Sequence, residues 1–137
     1  MSELSHYQSR TGKVSGTPAE VFAFITDLRN FGRFVNEGTI SGWHAEKESC
    51  SFSVSMLGTV SVRLIEKEIS SKVIYQGDAL SRNDFTINVN ISGRPAEPAE
   101  VNISLSASLN PVMKMMADKP IRQFMETLMQ EIEYFRD

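Results

Sequence analysis

Few side chains in this sequence are of the kinds that do chemistry, and fewer stand in a pattern. Glu66 continues the alternation of Val60, Val62 and Leu64, which would carry a carboxyl to the mouth of an apolar interior. Burial there would raise its pKa and suit it to general acid or base work. The plainer reading is that Glu66 lies past the buried part of its strand and is solvated. His44 follows Trp43 on an irregular segment, and Tyr75 or Gln76, depending on register, points inward. An acid–base site requires at least two such groups in one pocket. His44-Ala45-Glu46 matches the opening of a zinc-deaminase signature, but the completing Pro-Cys-x-x-Cys is absent, since Cys50 is the only cysteine. His6 and His44 are the only histidines, and neither belongs to a close His/Asp/Glu cluster, so no metal site is expected. There is no Gly-x-Ser-x-Gly elbow, P-loop or dinucleotide glycine run, so no cofactor is expected and no residue takes a catalytic role. Cys50 falls on an apolar parity and reads as an inert core thiol.

The elements that would position these groups come from a chain of 137 residues, 41% hydrophobic and 23% charged. That is the balance of one soluble globular domain. No stretch approaches the length of apolar sequence that spans a membrane. The net charge is −3, with Lys and Arg scattered singly. No basic surface for nucleic acid is expected, and mild acidity argues against anionic membranes. A single cysteine excludes an intrachain disulfide. The first residues lack a basic region followed by an apolar run, so the expected location is cytoplasmic. There the glycosylation-like Asn90-Ile91-Ser92 and Asn102-Ile103-Ser104 carry no meaning.

Thr17-Pro18-Ala19-Glu20 is a capping box with proline at the first helical position. Val21, Phe22, Phe24, Ile25 and Leu28 follow at helical spacing. Asp27 can cap a second short turn carrying Phe31, Phe34 and Val35. From about residue 39 the period becomes two. Cys50, Phe52, Val54 and Met56 alternate with serines; Val60, Val62 and Leu64 follow beyond Gly58. Phe85, Ile87, Val89 and Ile91 form another strand, and Val101 to Leu109 the last. The segment 73–80 is a strand whose faces are ambiguous, and Gly42 marks a bulge between Ile40 and Trp43. The expectation is an antiparallel meander with one wet face. Asn110-Pro111 opens a final helix that Pro120 kinks or breaks, with Ile121, Phe124, Met125, Leu128, Ile132 and Phe135 as its apolar stripe.

This order of elements, with the run Lys13-Val14-Ser15-Gly16-Thr17-Pro18-Ala19-Glu20-Val21-Phe22-Ala23-Phe24-Ile25-Thr26-Asp27, resembles the START-like helix-grip superfamily (SRPBCC), which includes pollen allergens, lipid-transfer domains and polyketide cyclases. There a short strand runs into a proline-capped helix of the form Pro-x-x-Val-Phe/Trp. Asn110-Pro111 and the amphipathic helix after it match the superfamily's end, so the resemblance spans about residues 8–135. It implies an α+β helix-grip fold: a curved antiparallel sheet wrapped around a long C-terminal helix, with two short helices after the first strand, in one domain over residues 1–137. It also implies a cavity between sheet and helix that holds a hydrophobic small molecule.

Carried onto this sequence, that cavity would be lined by Phe31 and Phe34 from the second helical turn. Val54, Met56, Val62 and Leu64 would line it from the next strands, and Tyr75, Phe85, Ile87 and Val89 from the middle of the sheet. Ile103 and Leu105, then Met113, Met116, Phe124 and Leu128 from the last helix, complete the lining, with Glu66 and His44 as the polar groups that could join it. The expected function is non-catalytic binding or carriage of a lipid, quinone or polyketide-like compound in a cavity of at least ~300 Å³. A cyclase- or hydrolase-like enzyme and a ligand-free interaction module are the alternatives. No stable membrane insertion is expected, and the oligomeric state is left open.

Overall fold

The computed structural model describes residues 3–31, 40–54, 58–79 and 83–133. Its strands form one antiparallel sheet in the order β1-β8-β7-β6-β5-β4-β3, with the short β2 also paired to β8. The strands are β1 (Glu3–Gln8), β2 (Gly12–Lys13), β3 (Ile40–Ala45), β4 (Ser49–Val54), β5 (Gly58–Glu68), β6 (Lys72–Ala79), β7 (Asn83–Ser92) and β8 (Glu100–Leu109). The helices are α1 (Pro18–Ile25) and α2 (Pro111–Glu133). Strands β3 to β8 are the expected meander, and β1 returns beside β8. This is the α+β helix-grip arrangement, a curved sheet with a long C-terminal helix.

The start of α1 is set by its capping box. The Glu20 amide donates to the Thr17 hydroxyl at 3.3 Å, and the Thr17 amide donates to the Glu20 carboxylate at 2.9 Å. Asp27 then accepts from the Arg29 amide at 3.1 Å and starts a short helical turn over 28–31, which buries Leu28 and Phe31. Phe34 and Val35 lie outside the described residues.

Strands β7 and β8 keep strict alternation: Ile87, Val89, Ile91, Val101, Ile103, Leu105, Ala107 and Leu109 are all buried. Strand β6 resolves its ambiguity with Val73, Tyr75 and Gly77 inward and Ile74, Gln76 and Asp78 outward. A Cβ on Gly77 would stand 2.5 Å from the Ser61 carbonyl oxygen and 2.6 Å from the Phe85 ring. Phe85, directly opposite in β7, thus covers the place where Gly77 has no side chain. Gly42, at φ +64°, sits in the register shift between Ser41 and His44 of β3, at the expected bulge.

Helix α2 is capped by Asn110, whose side chain accepts from the Met113 amide at 2.8 Å. It runs unbroken through Pro120, where the sequence suggested a kink or break. The carbonyl deprived of a partner belongs to Met116, four residues earlier and half exposed, so water can replace the missing amide. Beyond Pro120 the helix buries Met125, Leu128, Met129 and Ile132. Gly12 of β2 permits close approach there, since a Cβ on it would stand 2.3 Å from the Met129 sulfur.

Candidate functional site

Between the sheet and α2 lies a void of about 40 Å³. Of the residues expected to line it, Phe31, Val62, Tyr75, Ile87, Val89, Phe124 and Leu128 do so. Leu28, Trp43, Cys50, Phe52 and Ile132 complete the wall. Trp43 and Phe124 are half-buried at its edge, and three rings stand in file: Trp43 to Phe52 at 5.7 Å and Phe52 to Phe124 at 6.3 Å. Trp43 escaped the sequence reading because the β3 bulge hides its parity. Cys50 and Phe52 were legible as inward positions of β4, and Leu28 and Ile132 as members of helical stripes.

The other expected lining residues lie elsewhere. Ile103 and Leu105 are core, and Leu64, Phe85 and Met113 pack partly buried against it. Met116 is a correction: it is 49% exposed on the outer side of α2, where Met113 and Ala117 take the inward face. Met56 and Phe34 fall outside the described residues, and Val54 is described in its backbone alone. The void walled by described residues is far below the ~300 Å³ of ordinary ligand pockets.

The polar groups do not converge. Between Leu64 and Glu66 the β5–β6 register shifts. The shift ends the inward parity, and Glu66 is exposed with its carboxylate 3.8 Å from the Lys72 ammonium. His44 points to the wet face, where it borders an open cleft of about 360 Å³ with Ser51, Ser61, Arg63, Gln76 and Asp78. Neither reaches the interior, so both fail as polar pocket groups. Tyr75 alone points inward, and its hydroxyl donates to the Ile25 carbonyl at the end of α1. That bond supplies a partner to one of the last carbonyls of the helix. Burial pushes the Tyr75 phenol up, and pushes the Cys50 thiol up to about 12, so both are neutral at physiological pH. Among the described residues no group of His, Cys, Asp or Glu could hold a metal ion.

An ion-pair clamp sets the distance between α2 and the sheet. Arg10, in the bend between β1 and β2, donates to Glu133 through both terminal nitrogens at 2.7 Å and to Glu126 at 2.9 Å. The two carboxylates are seven residues apart, two turns along one face. The Arg10 guanidinium holds the Glu133 carboxyl below the usual carboxylate range. Further along the same helix, the Arg122 guanidinium lies 5.3 Å from the centre of the Tyr7 ring.

Several solved structures share this architecture. Norcoclaurine synthase from Thalictrum flavum aligns with a TM-score of 0.70 at 6% identity, over 98% of this chain and 86% of that one. Ara h 8.0201 aligns with a TM-score of 0.69 at 7% identity, over 97% of each chain. A START superfamily protein from Mycobacterium smegmatis aligns with a TM-score of 0.60 at 11% identity, over 95% of this chain and 98% of that one. No protein-family model matches the sequence, and no curated protein does. The chain has the START/Bet v1-like helix-grip fold. At these identities the likeness is one of fold, and activity must be argued from the site.

Proposed function

We propose that this protein binds an apolar small molecule between the sheet and α2 and does no chemistry on it. The ligand class is that of a lipid, quinone or polyketide-like compound. The observation that carries the reading is the lining itself: aliphatic and aromatic side chains, with the Tyr75 hydroxyl engaged by backbone and the Cys50 thiol held neutral. Such a wall rewards contact with apolar surface and offers no base, nucleophile or anion-stabilising group to a substrate. The separation of His44 and Glu66 from Tyr75 weighs against the enzyme reading. A norcoclaurine synthase variant, similar to this chain with a TM-score of 0.70, was solved with a transition-state analogue bound, so this architecture accommodates small organic molecules there. Room for a ligand here would come from displacement of Trp43 and Phe124, the half-buried rings at the edge of the void.

Trp43 is the only tryptophan and reports on the void directly. Its fluorescence should change saturably, with one-to-one stoichiometry, on titration with a fatty acid, a short-chain quinone or a flavonoid. Native mass spectrometry of freshly purified protein should show an added mass that leaves on denaturation. If none of the three compounds binds saturably and the native mass is that of the bare chain, the reading is wrong.

A further inference from the structure

The first turns of α2 expose Val112 by 67%, Met115 by 84% and Met116 by 49%. Their spacing of three and four residues makes them neighbours on one helix face. Elsewhere among the described residues, the exposed large apolar side chains are Leu4, Ile65 and Ile69, spread over two other strands and a turn. Scattered apolar residues need no explanation, but three adjacent ones on a single turn and a half do. Polar neighbours sharpen the point. Lys119 is four residues from Met115 and three from Met116, so it shares their face, whereas Lys114, two residues from Val112 and Met116, stands on the far side beside Asp118. Asp118 is taken by Arg122 at 3.1 Å. Among the described residues Lys119 makes no ion pair, while Asp118 feels the charge of Lys114 as well as that of Arg122. From Pro111 to Gln123 there are three basic side chains and one acidic one, a local +2 in a chain of net charge −3. The positive end of the helix dipole lies at the same place.

We infer that this face of α2 docks the protein peripherally on an anionic lipid surface. Flexible methionines and a valine would dip into the headgroup–acyl boundary, while the Lys119 stem runs alongside and its ammonium group meets a phosphate. A protein partner fits less well. The patch is the convex side of one helix, without the aromatic or arginine anchors that fill pockets in protein interfaces. Net negative charge does not forbid the contact. Screening confines each charge to about 8 Å at physiological ionic strength, so the charges beside the patch decide the encounter. The inference stands whether or not the interior takes a ligand.

The test is co-sedimentation of the purified chain with vesicles of mixed phosphatidylglycerol and phosphatidylcholine, and with phosphatidylcholine alone. Binding to the anionic vesicles should exceed binding to the neutral ones and fall in high salt. Lys119→Glu should weaken partitioning about fivefold or more, and Met115→Glu should weaken it comparably. Ile69→Glu, at an equally exposed apolar site, should leave it unchanged. Because these positions are exposed, melting temperatures should match the parent, and Lys119→Glu keeps the test valid should Met115→Glu misfold. Equal sedimentation of parent, Met115→Glu and Lys119→Glu would overturn the proposal. So would a doubled mass in solution that reverts to monomer in Met115→Glu, which would make a second copy of the chain the occupant.

Discussion

Replacing Arg10 with methionine tests whether the clamp holds α2 against the sheet. Methionine keeps the aliphatic stem and removes the guanidinium. Two ion pairs disappear, and they are not equivalent. Glu126 is 47% exposed and Arg10 45%, so that pair contributes at most about 1 kcal/mol. Glu133 is 10% exposed. Stripped of Arg10, it keeps the Lys13 amide but becomes a largely buried carboxylate short of donors, which costs about 1–3 kcal/mol. The total is about 1–4 kcal/mol, or about 3–20 °C in melting temperature for a chain of this length. The pH dependence separates the clamp from lost packing. Arg10 lowers the Glu133 pKa below its unfolded value, chiefly through the side-chain hydrogen bond. A depressed carboxylate pKa adds stability above the unfolded value and loses it as pH falls through the folded one. The gap between parent and Arg10→Met should therefore be constant near neutrality and close below about pH 4. Thermal unfolding followed by circular dichroism across that range is the assay. A loss under about 0.5 kcal/mol, or a gap that persists in acid, would refute the argument.

Two further outcomes follow from the same geometry. Gly77→Ala places a Cβ 2.5 Å from the Ser61 carbonyl and 2.6 Å from the Phe85 ring; it should cost about 1–3 kcal/mol in urea unfolding, and an unchanged midpoint would show that the sheet yields there. Cys50, with its thiol pushed up to about 12 by burial, should react with iodoacetamide at mildly alkaline pH about a thousandfold more slowly folded than unfolded, and comparable rates would contradict that burial.

Much of this architecture is legible in the residues because local and tertiary demands agree. Thr17 and Glu20 cap α1 as their types require. In β8 every inward residue is apolar and every outward one from Asn102 to Ser108 is polar, so parity reads directly. Where inside and outside break that rule, the sequence misleads. Strand β1 turns Ser5 inward to 8% exposure and leaves Leu4 at 59%, the reverse of a legible pattern. Strand β6 turns Ile74 outward and Gly77 inward, with a ring from the neighbouring strand filling the gap. Glu66 shares the inward parity by counting alone, and the register shift before it cancels the count. Met116 belongs to an amphipathic helix whose first turns give the core Met113 and Ala117 instead, so its own side of the helix stays uncovered. In each case the cause is a non-local contact, or its absence, that no window along the chain contains.

The same distinction bears on how the interior would admit a ligand. Strands β6, β7 and β8 are held on both sides within the sheet, and the last turns of α2 are fixed by Arg10 and by Met129 against Gly12. Those walls cannot yield cheaply. Trp43 stands on β3, the outer strand of the sheet, beside its bulge. Phe124 stands one turn past Pro120, before the clamped section begins at Glu126. Both rings are half-buried, so moving them exposes less new apolar surface than moving Phe52 or Ile87 would. On the binding reading, the space therefore opens along the Trp43–Phe124 edge while the Val89–Ile132 side stays closed. This is why Trp43 fluorescence, rather than global stability, is the measurement that separates an occupied interior from a filled one.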